Sequence, residues 1–234
     1  MSYLVLARKY RPKTFDQLVG QSHVVQALTN ALRTQRLHHA YLFTGTRGVG
    51  KTTVSRILAK SLNCETGITA QPCGVCAACS DIDAGHFVDY TELDAASNRS
   101  VDEIQQLLEQ AVYKPVQGRF KVFMIDEVHM LTNTAFNAML KTLEEPPKHA
   151  IFILATTEKH KIIPTILSRC QIFDFKRITP ADIAEHLKEI SQKESIKAEN
   201  TALQLIAQKS DGCMRDALSM LDKIVSFTNA SLTY

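Results

Sequence analysis

The sequence predicts an α/β fold, a mostly parallel, doubly wound sheet followed by a small helical domain. Three observations predict it. First, Gly45-Thr46-Arg47-Gly48-Val49-Gly50-Lys51-Thr52 follows the apolar stretch 40–44 and precedes a helical pattern over 53–62, so a glycine-rich turn lies between a strand and a helix. Second, short continuous apolar runs at 120–125 and 151–155 alternate with amphipathic helical stretches, as buried strands do. Third, beyond Thr179-Pro180 only helical spacing remains.

Composition bounds the rest. With 234 residues, 45% hydrophobic and 22% charged, the chain can bury a substantial core as one large domain or a medium one plus a small one. No run approaches the roughly twenty apolar residues of a membrane span, and residues 1–9 are too short an apolar segment for a signal peptide. No membrane partner is therefore expected, and the expected location is cytoplasmic. A net charge of +3 is too small to demand a nucleic-acid partner. Six cysteines in such a chain point to metal or burial before disulfides. There is no internal repeat or low-complexity segment, and further protein is expected beyond Tyr234.

In chain order, residues 8–15 form a basic, extended arm, either a solvated face or, through Pro12, Phe15 and Val19-Gly20, the wall of an adenine pocket. A helix follows over 21–32, on the spacing of Val24, Val25, Leu28 and Leu32. The glycine-rich turn then matches the P-loop pattern. Its glycines let successive N–H groups point inward, and the helix N-terminus adds positive potential, so the turn suits a triphosphate. Lys51 is placed to reach the β- and γ-phosphates, and the Thr52 hydroxyl to ligate Mg²⁺.

Cys64, Cys73, Cys76 and Cys79 lie within sixteen residues, with Pro72-Cys73-Gly74 supplying a turn. Four thiolates can close a tetrahedron around Zn²⁺ with no position left for water, which marks a structural metal. Cys170 and Cys213 stand apart and read as small buried hydrophobes.

A strand is predicted over 87–93 and a helix over 101–112, ended by Lys114-Pro115. The run 120–125 leads into Asp126-Glu127, and paired acids at the carboxyl end of a buried strand suit an ATPase: Asp126 for the Mg²⁺ shell, Glu127 to polarise water. A helix over 132–145 is stopped by Pro146-Pro147, with Lys141 on its polar face beside Asn137, where a solvated lysine is the ordinary reading. The strand 151–155 ends in Thr156-Thr157, hydroxyls that could meet the γ-phosphate or its water. Ser168-Arg169-Cys170 leads into a last strand at 171–175.

Thr179-Pro180-Ala181-Asp182 has the form of a helix start, so a boundary is expected there, with domains at 1–178 and 179–234. Three short helices follow, marked by Ile183, Leu187 and Ile190, then Leu203 and Ile206, then Leu218, Leu221 and Ile224. Arg215 sits near a helix N-terminus, where the helix dipole disfavours a cation. It suits a bound anion such as a γ-phosphate across the domain gap, or a surface pair with Asp211 or Asp216.

The set resembles the AAA+ ATPases, and more closely the γ/τ subunits of the bacterial DNA polymerase III clamp loader. The resemblance runs the length of the chain through Ala7-Arg8-Lys9-Tyr10-Arg11-Pro12, the P-loop, the 64–79 cysteine insertion, Asp126-Glu127-Val128-His129, Leu140-Lys141-Thr142-Leu143-Glu144-Glu145-Pro146-Pro147, Ser168-Arg169-Cys170 and Gly212-Cys213-Met214-Arg215-Asp216-Ala217-Leu218. It implies helices on both faces of the sheet, a three-helix lid and ATP bound between them. The nucleotide contacts it implies are Ala7, Arg11, Pro12, Val19, Gly45, Thr46, Arg47, Gly48, Val49, Gly50, Lys51, Thr52, Thr53 and Arg215. Arg169 resembles an arginine finger for a neighbouring subunit's ATP, and either Thr156 or Thr157 the first sensor. Arg99 and Lys141 resemble residues facing DNA phosphates.

The implied partners are other clamp-loader subunits (δ- and δ′-like), the sliding clamp and primed-template DNA. The implied activity is ATP-dependent clamp loading, which requires the ATP-bound state to have the higher affinity for clamp and DNA. Alternatives are another AAA+ DNA-associated ATPase such as a helicase or helicase loader, a P-loop kinase, and a zinc-ribbon DNA binder. The insertion's scarcity of aromatic and basic residues disfavours the last.

Overall fold

Strands that read as continuous apolar runs imply a sheet covered on both faces, and the computed structural model, which describes residues 4–97, 101–227 and 231–232, has one. Five parallel strands, β1 (Ala40–Thr44), β2 (Tyr90–Asp94), β3 (Lys121–Asp126), β4 (Ala150–Thr156) and β5 (Gln171–Asp174), lie in the order β2-β3-β4-β1-β5. Alternate side chains go to opposite cores. Tyr41, Phe43, Val122, Met124, Ile151 and Ile153 join Val54, Ile57 and Leu58 on one side. Leu42, Phe123, Ile125, Phe152 and Leu154 join Ile104, Phe136 and Met139 on the other.

The helices follow from the same periodicity. On the first face lie α2 (Ser22–Arg33), α3 (Lys51–Asn63) and α4 (Ala77–Ala84); on the second lie α5 (Val101–Val112), α6 (Asn133–Glu144) and the single turn α7 (Pro164–Leu167). The Thr132 hydroxyl accepts the Ala135 N–H and caps α6.

Besides a two-residue strand pairing within the helical domain, three local features differ from the sequence reading. The opening arm is not extended throughout, because Leu6–Lys9 forms a helical turn, α1, whose Leu6 is buried. The second strand begins at Tyr90 rather than at residue 87. Asp89 is buried there, and its carboxylate accepts the N–H groups of Val116 (2.9 Å), Gln117 (2.7 Å) and Gly118 (2.7 Å), which fixes the preceding residues in a turn. The helix α4, closing the cysteine insertion, was not foreseen.

The helical domain consists of α8 (Pro180–Lys193), α9 (Asn200–Lys209) and α10 (Met214–Phe227), with a two-residue parallel pairing of β6 (Lys197–Ala198) and β7 (Ser231–Leu232). Thr179 caps α8 by accepting the Asp182 N–H, with Pro180 in the first turn. Its core takes in Leu6 and Ile178, so the N-terminal turn packs on this domain. Among the described residues no helix is long and apolar enough to cross a membrane.

Candidate nucleotide site and cysteine cluster

The parallel register sets the carboxyl ends of β1, β4 and β3 side by side: Thr44 is level with Thr156, and Ile125 with Leu154. Ligands of open parallel sheets bind at this edge. The glycine-rich turn leaves β1 here, anchored by the Gly45 N–H donating to the Thr156 carbonyl at 3.2 Å. Two glycines are demanded by both conformation and space. Gly45 has φ +143°, and a Cβ there would stand 2.7 Å from the Phe175 carbonyl oxygen. Gly48 has φ +73°, and a Cβ there would meet Cys213 Sγ at 2.1 Å. Thr46 and Arg47 are exposed, whereas Val49 is buried in the core.

Lys51 opens α3 and is 7% exposed. Its Nζ donates to the carbonyls of Gly45 (2.7 Å) and Thr46 (2.9 Å). Burial lowers its pKa, against the opposing influence of Asp126 and Glu127. The Thr52 hydroxyl donates to Asp126 Oδ2 at 3.0 Å, so the two oxygens suited to a hard divalent cation stand together. Asp126 Oδ1 accepts the Glu127 N–H at 2.9 Å.

Glu127 is left-handed, with φ 49° and ψ 43°, a conformation costing about 1–3 kcal/mol that persists only where surroundings enforce it. Its Oε2 accepts the Thr157 hydroxyl at 3.0 Å. The two threonines, equivalent in sequence, are distinct in space. Thr156 is fully buried, 2.9 Å from His129 Nδ1, and its oxygen accepts the Glu158 N–H at 2.9 Å. Thr157 is half-buried and faces the acid. His129, two residues past the acid pair, has no role that the sequence alone assigns.

From the N-terminal arm, Arg11 Nε donates to Thr53 Oγ1 at 3.2 Å. Burial lowers the Arg11 pKa, helped by the charges of Arg56 and Arg215 and opposed by those of Glu92 and Tyr90. Pro12 is half-buried, while Ala7 and Val19 pack on the helical domain's core. Phe15 cannot wall an adenine pocket: it is 2% exposed, within the core under α3. Leu18, which carried no sequence signal, comes to 3.8 Å from a Cβ built on Gly50.

Arg215 lies in the first turn of α10, and its Cβ is 3.3 Å from a Cβ built on Gly48. Asp211 pairs instead with Arg177, and among the described residues Arg215 has no ion-pair partner. Cys213 is buried, as expected, but at the seam between the two domains, against the glycine-rich turn. Cys170 is half-buried, and burial pushes its thiol up to about 12.

Arg169 is held elsewhere. Its Nη2 lies 2.5 Å from Glu144 Oε1, and Nη1 donates to the Thr165 carbonyl at 2.7 Å. Lys141 is exposed on α6, on the same side as Asn137. Arg99 lies outside the described residues.

The four cysteines of the insertion converge, with all Sγ atoms within 4.8 Å of one another. A Zn–S distance of about 2.3 Å places tetrahedral sulfurs about 3.8 Å apart, so the cluster fits zinc. Cys64 Sγ accepts the Cys73 N–H at 3.4 Å, and Cys73 Sγ the Cys76 N–H at 3.3 Å. Burial works against the Cys64 thiolate, but the Cys73 N–H and the Thr66 hydroxyl outweigh it and hold the thiol at about 6. The insertion is fastened to the sheet domain by buried Lys60, whose Nζ lies 2.7 Å from Asp83 Oδ1 and donates to the Lys13 carbonyl at 2.8 Å.

The family model described as "DNA polymerase III, delta subunit" matches residues 20–179, and that described as "DNA polymerase III clamp loader subunit, ATPase lid domain" matches residues 182–230. DNA polymerase III subunit tau of Escherichia coli is 56% identical over 226 residues, covering 97% of this chain and 35% of that protein. DNA polymerase III subunit gamma of Buchnera aphidicola (subsp. Baizongia pistaciae) is 48% identical over 233 residues, covering 100% of this chain and 63% of that protein. The chain thus spans about a third of the length of the first of these and less than two thirds of the second. Among solved structures, the RuvB Holliday junction branch migration motor of Thermotoga maritima superposes with a TM-score of 0.70 at 22% identity, covering 96% of this chain and 69% of that one, a likeness of fold.

Proposed function

Because the chain belongs to the DNA polymerase III clamp-loader subunit family, we propose that it is the ATP-hydrolysing motor part of a clamp loader, opening a sliding clamp and releasing it on primed DNA. The observation that carries this reading is the cluster at the strand ends. Lys51, Thr52, Asp126, Glu127 and Thr157 gather at the glycine-rich turn, while Arg169 makes its hydrogen bonds and ion pair outside that cluster.

In this reading the turn's N–H groups and Lys51 bind the β- and γ-phosphates, and Arg11 and Arg215 add positive charge from the arm and the lid. Thr52 and Asp126, whose oxygens stand together, would hold Mg²⁺, which would supply positive charge against the phosphates. Glu127 accepts a proton from the attacking water, and Thr157 is the first-sensor hydroxyl beside it. Arg169 serves a neighbouring subunit's site, so hydrolysis depends on assembly with δ- and δ′-like subunits. Lys141 contacts DNA phosphates, and Arg99 is assigned the same role. The cysteine cluster holds a structural Zn²⁺, and the protein works in the cytoplasm.

The test is ATP hydrolysis by the full chain, alone and with partner subunits, clamp and primed DNA. Turnover should rise on assembly and DNA addition, and Arg169→Ala should remove that rise while leaving ATP binding by the isolated chain intact. A lowered rate for the unassembled Arg169→Ala chain would count against a finger acting in trans, and stimulation without clamp or partners would favour another AAA+ DNA motor.

A further inference from the structure

Between the acid-bearing end of β3 and the threonine-bearing end of β4 stands His129, which neither the phosphate cradle nor the Mg²⁺ edge employs. Its side chain is 5% exposed. On one side Nε2 lies 3.2 Å from Glu158 Oε1, and Glu158 is itself fixed by Lys161 at 2.7 Å, with His160 at 3.7 Å. The Glu158 N–H also donates to the Thr156 hydroxyl oxygen. On the other side Nδ1 lies 2.9 Å from that same hydroxyl and 3.4 Å from Glu127 Oε2. The ring is therefore located by one loop and presents its second nitrogen to the carboxylate of the other.

We infer that His129 is a positioning residue for Glu127, fastening the Glu127 turn to the Thr156-Thr157-Glu158 loop and so fixing where the carboxylate stands over the attacking water. This rests on the reading of Glu127 as the group that accepts the water's proton. Two further facts favour a positioning role over simple filling of the core. Glu127 occupies a left-handed conformation that its surroundings must enforce, and the 3-10 turn joining it to His129 is closed by the Met130 N–H donating to the Glu127 carbonyl at 2.8 Å. A shift of the ring therefore moves the acid. The Thr157 hydroxyl binds the same Oε2 from the opposite loop, so Thr157 can turn to a phosphate oxygen while His129 keeps the carboxylate in place.

The experiment measures steady-state ATP hydrolysis and fluorescent-ATP affinity for the full chain assembled with its partner subunits. His129→Ala should lower kcat about a hundredfold, the loss that a misplacement of about 1 Å can cause, with ATP affinity unchanged. His129→Asn, whose amide reaches the Nδ1 position, should restore most of kcat; His129→Gln, whose amide reaches the Nε2 position, should not. Wild-type kcat for His129→Ala, or kcat and affinity falling together, overturns the inference. If His129→Ala fails to fold, the Asn and Gln variants carry the comparison, and equal kcat values for them overturn it. Glu127→Gln is measured alongside. Retained turnover there removes the reading of Glu127 itself, whereas lost turnover with an active His129→Ala removes only the role of His129.

Discussion

Gly48→Ala perturbs the seam between the phosphate cradle and the helical domain, and its cost can be divided by cause. The backbone at φ +73° disfavours any side chain, by about 1–2 kcal/mol. The new methyl would also stand 2.1 Å from Cys213 Sγ, an overpacking worth about 1–3 kcal/mol. The sum, about 2–5 kcal/mol, should appear as a lower urea midpoint and weaker binding of a fluorescent ATP analogue. In a Cys213→Ala background the sulfur is gone and the nearest remaining atoms are Arg215 Cβ at 3.3 Å and Cys213 Cβ at 3.5 Å. The conformational part and a small adjustment at Arg215 should then remain, giving a favourable coupling of about 1–3 kcal/mol between the substitutions. Strict additivity in the double-mutant cycle would refute the claim that Cys213 seats on Gly48.

Other consequences are as direct. Asp89→Ala leaves three N–H groups without their carboxylate acceptor and should cost about 3–5 kcal/mol in urea unfolding; a loss below about 1 kcal/mol would contradict the role given to that turn. On the proposal that the four cysteines hold zinc, a zinc chelator should lower the melting temperature while fluorescent-ATP affinity persists, and a parallel loss of ATP binding would argue that the cluster is not purely structural. Burial raises the Glu92 pKa, but Arg56 and Tyr90 outweigh it and hold the carboxyl below its ordinary value. A folded pKa below the unfolded one gives stability that is present above about pH 4.3 and lost as pH falls through the folded value. Glu92→Gln should therefore flatten the acid side of the stability-versus-pH curve, and an unchanged slope would remove this contribution.

What was legible in the sequence depended on local pattern. The P-loop, the buried strands and the Thr179-Pro180 helix start are written in neighbouring residues, and each sits where its spacing implied. Long-range partners were not legible. Nothing near Phe15 signals that it enters the core under α3 rather than lining a pocket, and nothing near Asp89 announces the N–H groups of residues 116–118. Thr156 and Thr157 are told apart chiefly by His129 and Glu127, more than twenty residues earlier in the chain. Cys213 resembled any small buried residue, because its contact with Gly48 joins two domains.

The strand order has a consequence for synthesis. Among the described strands, β1 touches only β4 and β5, yet it leaves the ribosome roughly a hundred residues before β4 does. At about 5–20 residues per second, this strand, wholly buried in the finished sheet, waits about 5–20 s without a hydrogen-bonded neighbour, a window in which a chaperone or a wrong pairing competes for it. The β2–β3 pair is available first, and the phosphate cradle, whose Gly45 N–H needs the Thr156 carbonyl, is among the last parts of the sheet domain to form. Nucleotide can therefore stabilise the nascent chain only after the sheet has closed, and slow decoding between residues 44 and 150 should lower the yield of native protein more than slow decoding after residue 180.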